Sequence, residues 1–404
     1  MTSVTTALRP KSVIRRFGPL WPLPLVLIAG SAVYQLLPLW PLERFDGVYI
    51  DLQVYRLGVQ ALFDGRDMYA TLPATSLGIG LPFIYPPFAA LALSPFALLP
   101  WGIAKVAFFI TSTLALTLTL YLVARRIWPT LGTAAMVTAC AVPAAMLLEP
   151  VHQTLKFGQV NLLVMALVAA DCLTEKPRWR RGILVGVAAA IKLTPVAFVL
   201  YFLVRREYKA AVTAAISGAA ASALAFAVLP GASMKYWFGG MGNLSGLSGS
   251  AFRTNQSIQG MLTRLGVEKP ASTLIWLALG AVLLVLIWTA MRQATDLPAV
   301  AFALNAVFAL LLSPISWSHH WVWIAPGLLA VFGYATRLPW RRALPWYLTG
   351  AVTAAIFVYG PQDWLPGENR REMAWTPWQH FIGNTYVWFS VALVLLFLAG
   401  RTRR

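Results

Sequence analysis

The sequence predicts an all-α polytopic membrane protein, and three observations carry that reading. Hydrophobic residues make up 59% of the 404 and charged residues only 11%, against about 25% charged in an ordinary soluble domain. Mean hydropathy is +0.68. Residues 106–124 hold no charge at all and are long enough to cross a bilayer. The apolar surface of such a chain needs lipid to cover it.

The formal charge is +18, from 32 Lys+Arg against 14 Asp+Glu. In a soluble protein that excess points first to nucleic acid. Here no soluble domain is left to host one, and basic residues retained in cytoplasmic loops explain the excess. No nucleic-acid partner is expected. Cys140 and Cys172 lie in apolar segments and read as packing residues.

Charge places the elements in order. Lys11, Arg15 and Arg16 precede a first span at residues 18–40, which puts the N-terminus in the cytoplasm. Residues 41–100 form a first outer loop, with a surface helix at 52–63 and an interfacial or re-entrant piece at 86–100 broken by prolines. Spans follow at 101–124, ending on Arg125 and Arg126, then at 131–148 and 160–173. Basic clusters flank residues 182–204, so an even number of crossings is needed there. Two arms of about 11 residues reach only ~17 Å each, so a helical hairpin breaking near Lys192–Pro195 is expected. Residues 210–229 lead to a Gly/Ser-rich outer loop at 231–271. Spans at 272–291, 297–314, 321–335 and 344–360, a last outer loop at 361–383 and a span at 384–400 complete about 12 hydrophobic helices. Both termini are then cytoplasmic. The acids agree: inner positions hold 20 of the 32 basic residues but only 4 of the 14 acids.

Polar residues suited to chemistry gather on the outer side. They are Asp46, Asp51 and Tyr85 in the first loop, Glu149 after the third span, and Gln159 with Asn161 before the fourth. Arg253, Asn255 and Gln256 lie in the Gly/Ser loop, and His319-His320 precede the tenth span. Asp51 has an ordinary explanation as a helix N-cap. Lys192 is harder to dismiss, because an ammonium inside an apolar stretch costs at least ~2.5 kcal/mol unless paired or hydrated. An anionic partner or snorkelling to a headgroup would each relieve it. Adjacent histidines on a helix point about 100° apart, and no HExxH, CxxC or Asp-x-Asp pattern occurs, so neither a metal nor a cofactor is expected.

These strings have a known counterpart. Asp51-Leu-Gln-Val-Tyr-Arg56, Phe83-Ile-Tyr-Pro-Pro-Phe88 and the run from Glu149 to Asn161 occur in that order. Ala190-Ile-Lys-Leu-Thr-Pro195, Asn255-Gln-Ser257 and the run from Ser313 to Trp321 follow. The pattern resembles glycosyltransferase family 87, the polyprenol-phosphate-mannose-dependent α-1,2-mannosyltransferases of actinobacterial envelopes. The resemblance implies a GT-C fold with its active site on the outer, periplasmic face of the plasma membrane. It also implies a polyprenyl-phosphate-mannose donor and a phosphatidylinositol mannoside acceptor, taken from tetramannoside to pentamannoside. Branching of lipomannan or lipoarabinomannan is the alternative. On that resemblance Asp51 is the catalytic base, with Asp46 in reserve. Lys192, Arg253 and His320 meet the donor phosphate, and His319, Glu149, Gln159, Asn161, Asn255, Gln256 and Tyr85 contact substrate. A transporter of lipid-linked sugar is the competing class; no internal repeat relates the two halves of the chain.

Overall fold

The computed structural model describes residues 49–240, 249–367 and 370–402, with isolated positions between 22 and 30. Asp46, most of the 18–40 span and the N-terminal basic group fall outside the described residues. Those described are helical with connecting loops and one isolated bridge between Asn255 and Trp317. In chain order the helices are α1 (Ile50–Phe63), α2 (Pro87–Leu98), α3 (Trp101–Ile127), α4 (Leu131–Met146), α5 (Glu149–Phe157) and α6 (Asn161–Leu173). After α7 (Ile183–Ile191) and a 3-10 turn (Thr194–Phe198) come α8 (Val199–Val204) and α9 (Tyr208–Val228). Then follow α10 (Pro230–Met234), α11 (Ile258–Arg264), α12 (Ala271–Gln293) and α13 (Pro298–Leu312). A 3-10 turn (Ser318–Trp323) leads into α14 (Ile324–Ala335), α15 (Trp340–Tyr359), α16 (Pro377–Gly383) and α17 (Thr385–Thr402).

Among the described residues, α3, α9 and α12 are long and apolar enough to cross a membrane. The bent pairs α4–α5, at 76°, and α16–α17, at 67°, raise that number to five. Other apolar helices among the described residues, such as α2, α6 and α13, are only 12–15 residues long. Proline sets many of the boundaries. Trp128 and Ser313 are extended because Pro129 and Pro314 follow, and this ends α3 and α13.

Arginines collect at one end of the bundle and cap carbonyls left open by the helix termini. Arg126 Nε donates to Leu173 O at 2.6 Å, Arg292 Nη1 to Val204 O at 3.1 Å and Arg337 Nη2 to Ile127 O at 2.9 Å. At this basic end α7 starts and α8 finishes, so the segment between Gly182 and Arg205 leaves and returns on the same side. Arg181 and Arg205 both pair with Glu207 there, at 3.5 and 3.0 Å. The break falls at Lys192, which is extended. Pro195 supplies the reason: continuing the helix would drive its ring into the carbonyl of Ile191, four residues back. The outgoing arm is registered on α9 by small residues. A Cβ on Gly182 would lie 2.1 Å from Ala210 O, and one on Gly186 would lie 2.3 Å from Ala214 O. Such contact between helix backbones is how small residues hold membrane helices together. Asp171, fully buried at the end of α6, fixes the base: its Oδ2 accepts from Gly182 N and Val185 N, each at 2.9 Å.

Candidate active site

At the end opposite the arginines a cavity of about 730 Å³ opens. The start of α1, helix α5, the hairpin turn, the ends of α12 and α13 and the His319-His320 turn all contribute to its wall. Asp51, Tyr85, Glu149, Gln159, Lys192, His319 and His320 line it together, although more than 260 residues separate the first from the last.

Asp51 sits in the first turn of α1, yet it is not the cap. Tyr49 occupies that position in the left-handed region, with φ 66°, and no side chain caps the helix. The carboxylate instead faces the cavity, where enclosure by protein raises its pKa above the ordinary carboxylate range. Lys192 and a hydrogen bond with Gln159 pull it partly back. Gly158 brings α1 and α5 together. It has φ +64°, and an added Cβ would lie 2.8 Å from Leu52 Cβ and 2.9 Å from Tyr49 Cδ1. Tyr49 N donates to Lys156 O at 2.7 Å across the same junction. Behind Asp51, Gln159 Oε1 accepts from Tyr55 OH at 2.6 Å, and Gln159 Nε2 donates to Tyr85 OH at 2.9 Å.

Lys192 projects from the hairpin turn. Its Nζ donates to Asn161 Oδ1 at 2.6 Å and lies 3.2 Å from His320 Nε2. Burial first, then the lysine charge, hold the His320 imidazole well below its usual pKa, while a bond to the Ile315 backbone works the other way. A neutral ring donating to Ile315 leaves Nε2 as the acceptor for Lys192. Two of the three ammonium donors are thus used among the described residues, and the side chain remains on the cavity wall. His319 packs edge-on against Phe157 at 5.2 Å, and its carbonyl accepts from Asn161 Nδ2 at 2.8 Å. Asn161 therefore orients the lysine and the histidine turn from behind and does not line the main cavity.

Glu149 also lines the cavity. Its Oε1 accepts from Ser318 Oγ at 2.7 Å and its Oε2 from Tyr386 OH at 3.0 Å. Gln153 and Asp363, which the sequence does not single out, also lie on the cavity wall. Gln153 lies within the Glu149–Asn161 motif, one helical turn after Glu149, and that spacing is the signal that finds it.

Three expected contact residues lie elsewhere. Arg253 donates through Nη1 to Leu365 O at 3.0 Å and through its backbone to Glu372 Oε1 at 3.2 Å. Gln256 Nε2 donates to Arg253 O and Gly383 O at 2.8 and 2.7 Å. Fully buried Asn255 holds Ser316 N through Oδ1 at 3.0 Å. All three brace connecting loops against one another, and none lines the cavity.

Fold and site together define an all-helical membrane protein whose largely apolar cavity holds the Lys192 ammonium together with the carboxylates of Asp51, Glu149 and Asp363. Comparison with known proteins narrows this further. The description glycosyltransferase family 87 matches residues 83–314. A polyprenol-phosphate-mannose-dependent α-(1-2)-phosphatidylinositol mannoside mannosyltransferase of Mycolicibacterium smegmatis is 36% identical, covering 90% of this chain and 88% of that one. Its counterpart in Mycobacterium tuberculosis is 34% identical over 98% and 95%. A pentamannoside mannosyltransferase of Mycobacterium tuberculosis is 32% identical over 74% and 70%. The chain belongs to glycosyltransferase family 87.

Proposed function

We propose that this chain is an inverting α-1,2-mannosyltransferase. It moves mannose from polyprenyl-phosphate-mannose to a phosphatidylinositol mannoside, converting tetramannoside to pentamannoside on the outer face of the plasma membrane. One observation carries the reading: Asp51 and Lys192 share a cavity in a family 87 chain. Relatives named for the phosphatidylinositol mannoside reaction match over nine-tenths of the chain, and this supports the acceptor. The twelve-helix GT-C arrangement and the cytoplasmic placement of the arginine end belong to the same proposal.

The chemistry needs little machinery. Asp51 takes the proton from the acceptor hydroxyl as that oxygen attacks the anomeric carbon from the face opposite the phosphate. The bond from the anomeric carbon to the phosphate oxygen breaks, and polyprenyl phosphate departs as a monoester. That oxygen is weakly basic, so no second carboxylic acid is required, in contrast to glycosidases that expel alkoxides. Lys192, held by Asn161 and His320, stabilises the charge gathering on the phosphate. A raised carboxyl pKa at Asp51 suits a base working near neutrality. No metal or cofactor is called for in this scheme.

The test is transfer of labelled mannose from polyprenyl-phosphate-mannose by purified protein to the tetramannoside glycolipid. An α-1,2-linked pentamannoside supports the reading. Movement of intact donor across a vesicle without transfer would make the chain a transporter.

A further inference from the structure

Two substrates must meet at Asp51, and the Lys192 side of the cavity is committed to the donor phosphate in the reading above. The remaining polar wall runs along α5. Glu149, Gln153 and Phe157 all line the cavity, and their four-residue spacing places them on one helix face. From Glu149 to Phe157 this face extends about 12 Å at 1.5 Å per residue. Its Phe157 end abuts Gly158, which packs on Tyr49 and Leu52 beside Asp51. At its other end Asp363 joins it, since the space beside Gly360 lies 3.1 Å from Glu149 Cγ and 3.3 Å from Asp363 Oδ2. The strip from Asp363 to Asp51 is thus longer than one pyranose ring.

Its polar groups differ in availability. Glu149 spends both oxygens on Ser318 and Tyr386, so it is part of the wall. Gln153 Oε1 is buried without a hydrogen-bond partner among the described residues. An orphaned buried acceptor is destabilising, and a sugar hydroxyl entering the cavity would satisfy it. Asp363 is kept in charge contact with Arg253, Oδ1 to Nε 3.8 Å, too long to use up its lone pairs. Trp317, beside Ser318, adds an indole to the same wall.

We infer that Gln153, Asp363 and Trp317 form a subsite for the penultimate sugar of the acceptor, the one preceding the mannose whose hydroxyl meets Asp51. This rests on the mannosyltransferase reading and deepens it: the enzyme recognises a disaccharide terminus. Arg253, which does not touch the cavity, then acts as the positioning residue for Asp363.

The experiment compares two synthetic acceptors, an alkyl mannoside and an alkyl dimannoside, with polyprenyl-phosphate-mannose as donor and the full chain in lipid nanodiscs. Wild-type protein is expected to prefer the dimannoside in kcat/KM. Asp363→Asn and Gln153→Leu, on separate elements, should each shrink that preference about tenfold, the effect of losing roughly 1.4 kcal/mol of contact. A preference left intact in both variants, or a wild-type enzyme that treats the acceptors alike, overturns the subsite. Wild-type protein that transfers mannose to neither these acceptors nor the natural glycolipid instead overturns the reading on which the subsite rests.

Discussion

Replacing Gly158 by alanine tests how the cavity positions its base. The new Cβ would stand 2.8 Å from Leu52 Cβ and 2.9 Å from Tyr49 Cδ1, whereas carbon atoms settle at about 3.5–4.0 Å. The start of α1 must therefore retreat by about 0.7–1 Å, and Asp51 lies between the two displaced residues. A misplacement of about 1 Å can cost about 100-fold in rate. Alanine also pays about 1–2 kcal/mol for the left-handed conformation at φ +64°. Gly158→Asn separates the two effects, because asparagine tolerates that conformation but carries the same Cβ. Both variants should lose about 100-fold in mannose transfer by purified protein, with thermal stability falling more for alanine. Near-normal transfer by Gly158→Asn would show that the close approach does not set the position of Asp51.

Other outcomes follow from the same contacts. Lys192→Met should raise the donor KM more than the acceptor KM. Because the lysine charge lowers the Asp51 pKa, its removal should also move the acid limb of the kcat/KM profile to higher pH; a limb that stays put would uncouple the pair. Asp171→Ala leaves Gly182 N, Val185 N and Trp179 Nε1 without their acceptor, a loss of roughly 3–5 kcal/mol. A melting temperature equal to wild type would remove Asp171 as the hairpin anchor. Exposed Thr71 changed to cysteine should react with an impermeant maleimide added outside intact cells, while Arg341→Cys should react only after permeabilisation; the reverse pattern would invert the topology.

Much of the site is legible in the chain because its chemistry conflicts with its surroundings. Lys192 stands out as a charge in an apolar run, and the proline three residues later explains why the helix breaks there. Gly182-x-x-x-Gly186 is equally visible as a small-residue motif, though only the structure shows that α9 is its partner. Arg253, Asn255 and Gln256 are misleading for a physical reason. Loops outside a membrane bundle must satisfy their own backbone groups, and polar side chains do that as readily as they bind substrate. Their partners, such as Leu365 and Gly383, lie more than 100 residues away. Asp363 gives no motif at all; a single acid in a loop acquires meaning only from Glu149 and Arg253 beside it. The cap reading of Asp51 fails because Tyr49 adopts the left-handed conformation and starts the helix two residues earlier.

Turnover of Asp51→Asn tests the central claim most directly. Asparagine is nearly isosteric, so helix α1 and the cavity should persist and donor should still bind, while the group that accepts the proton is gone. Loss of a general base costs about 10²–10⁴-fold, so labelled mannose transfer to the tetramannoside glycolipid should fall by at least about 100-fold with donor affinity retained. Transfer at close to the wild-type rate by folded Asp51→Asn would contradict the account and shift the search for the base to Asp46.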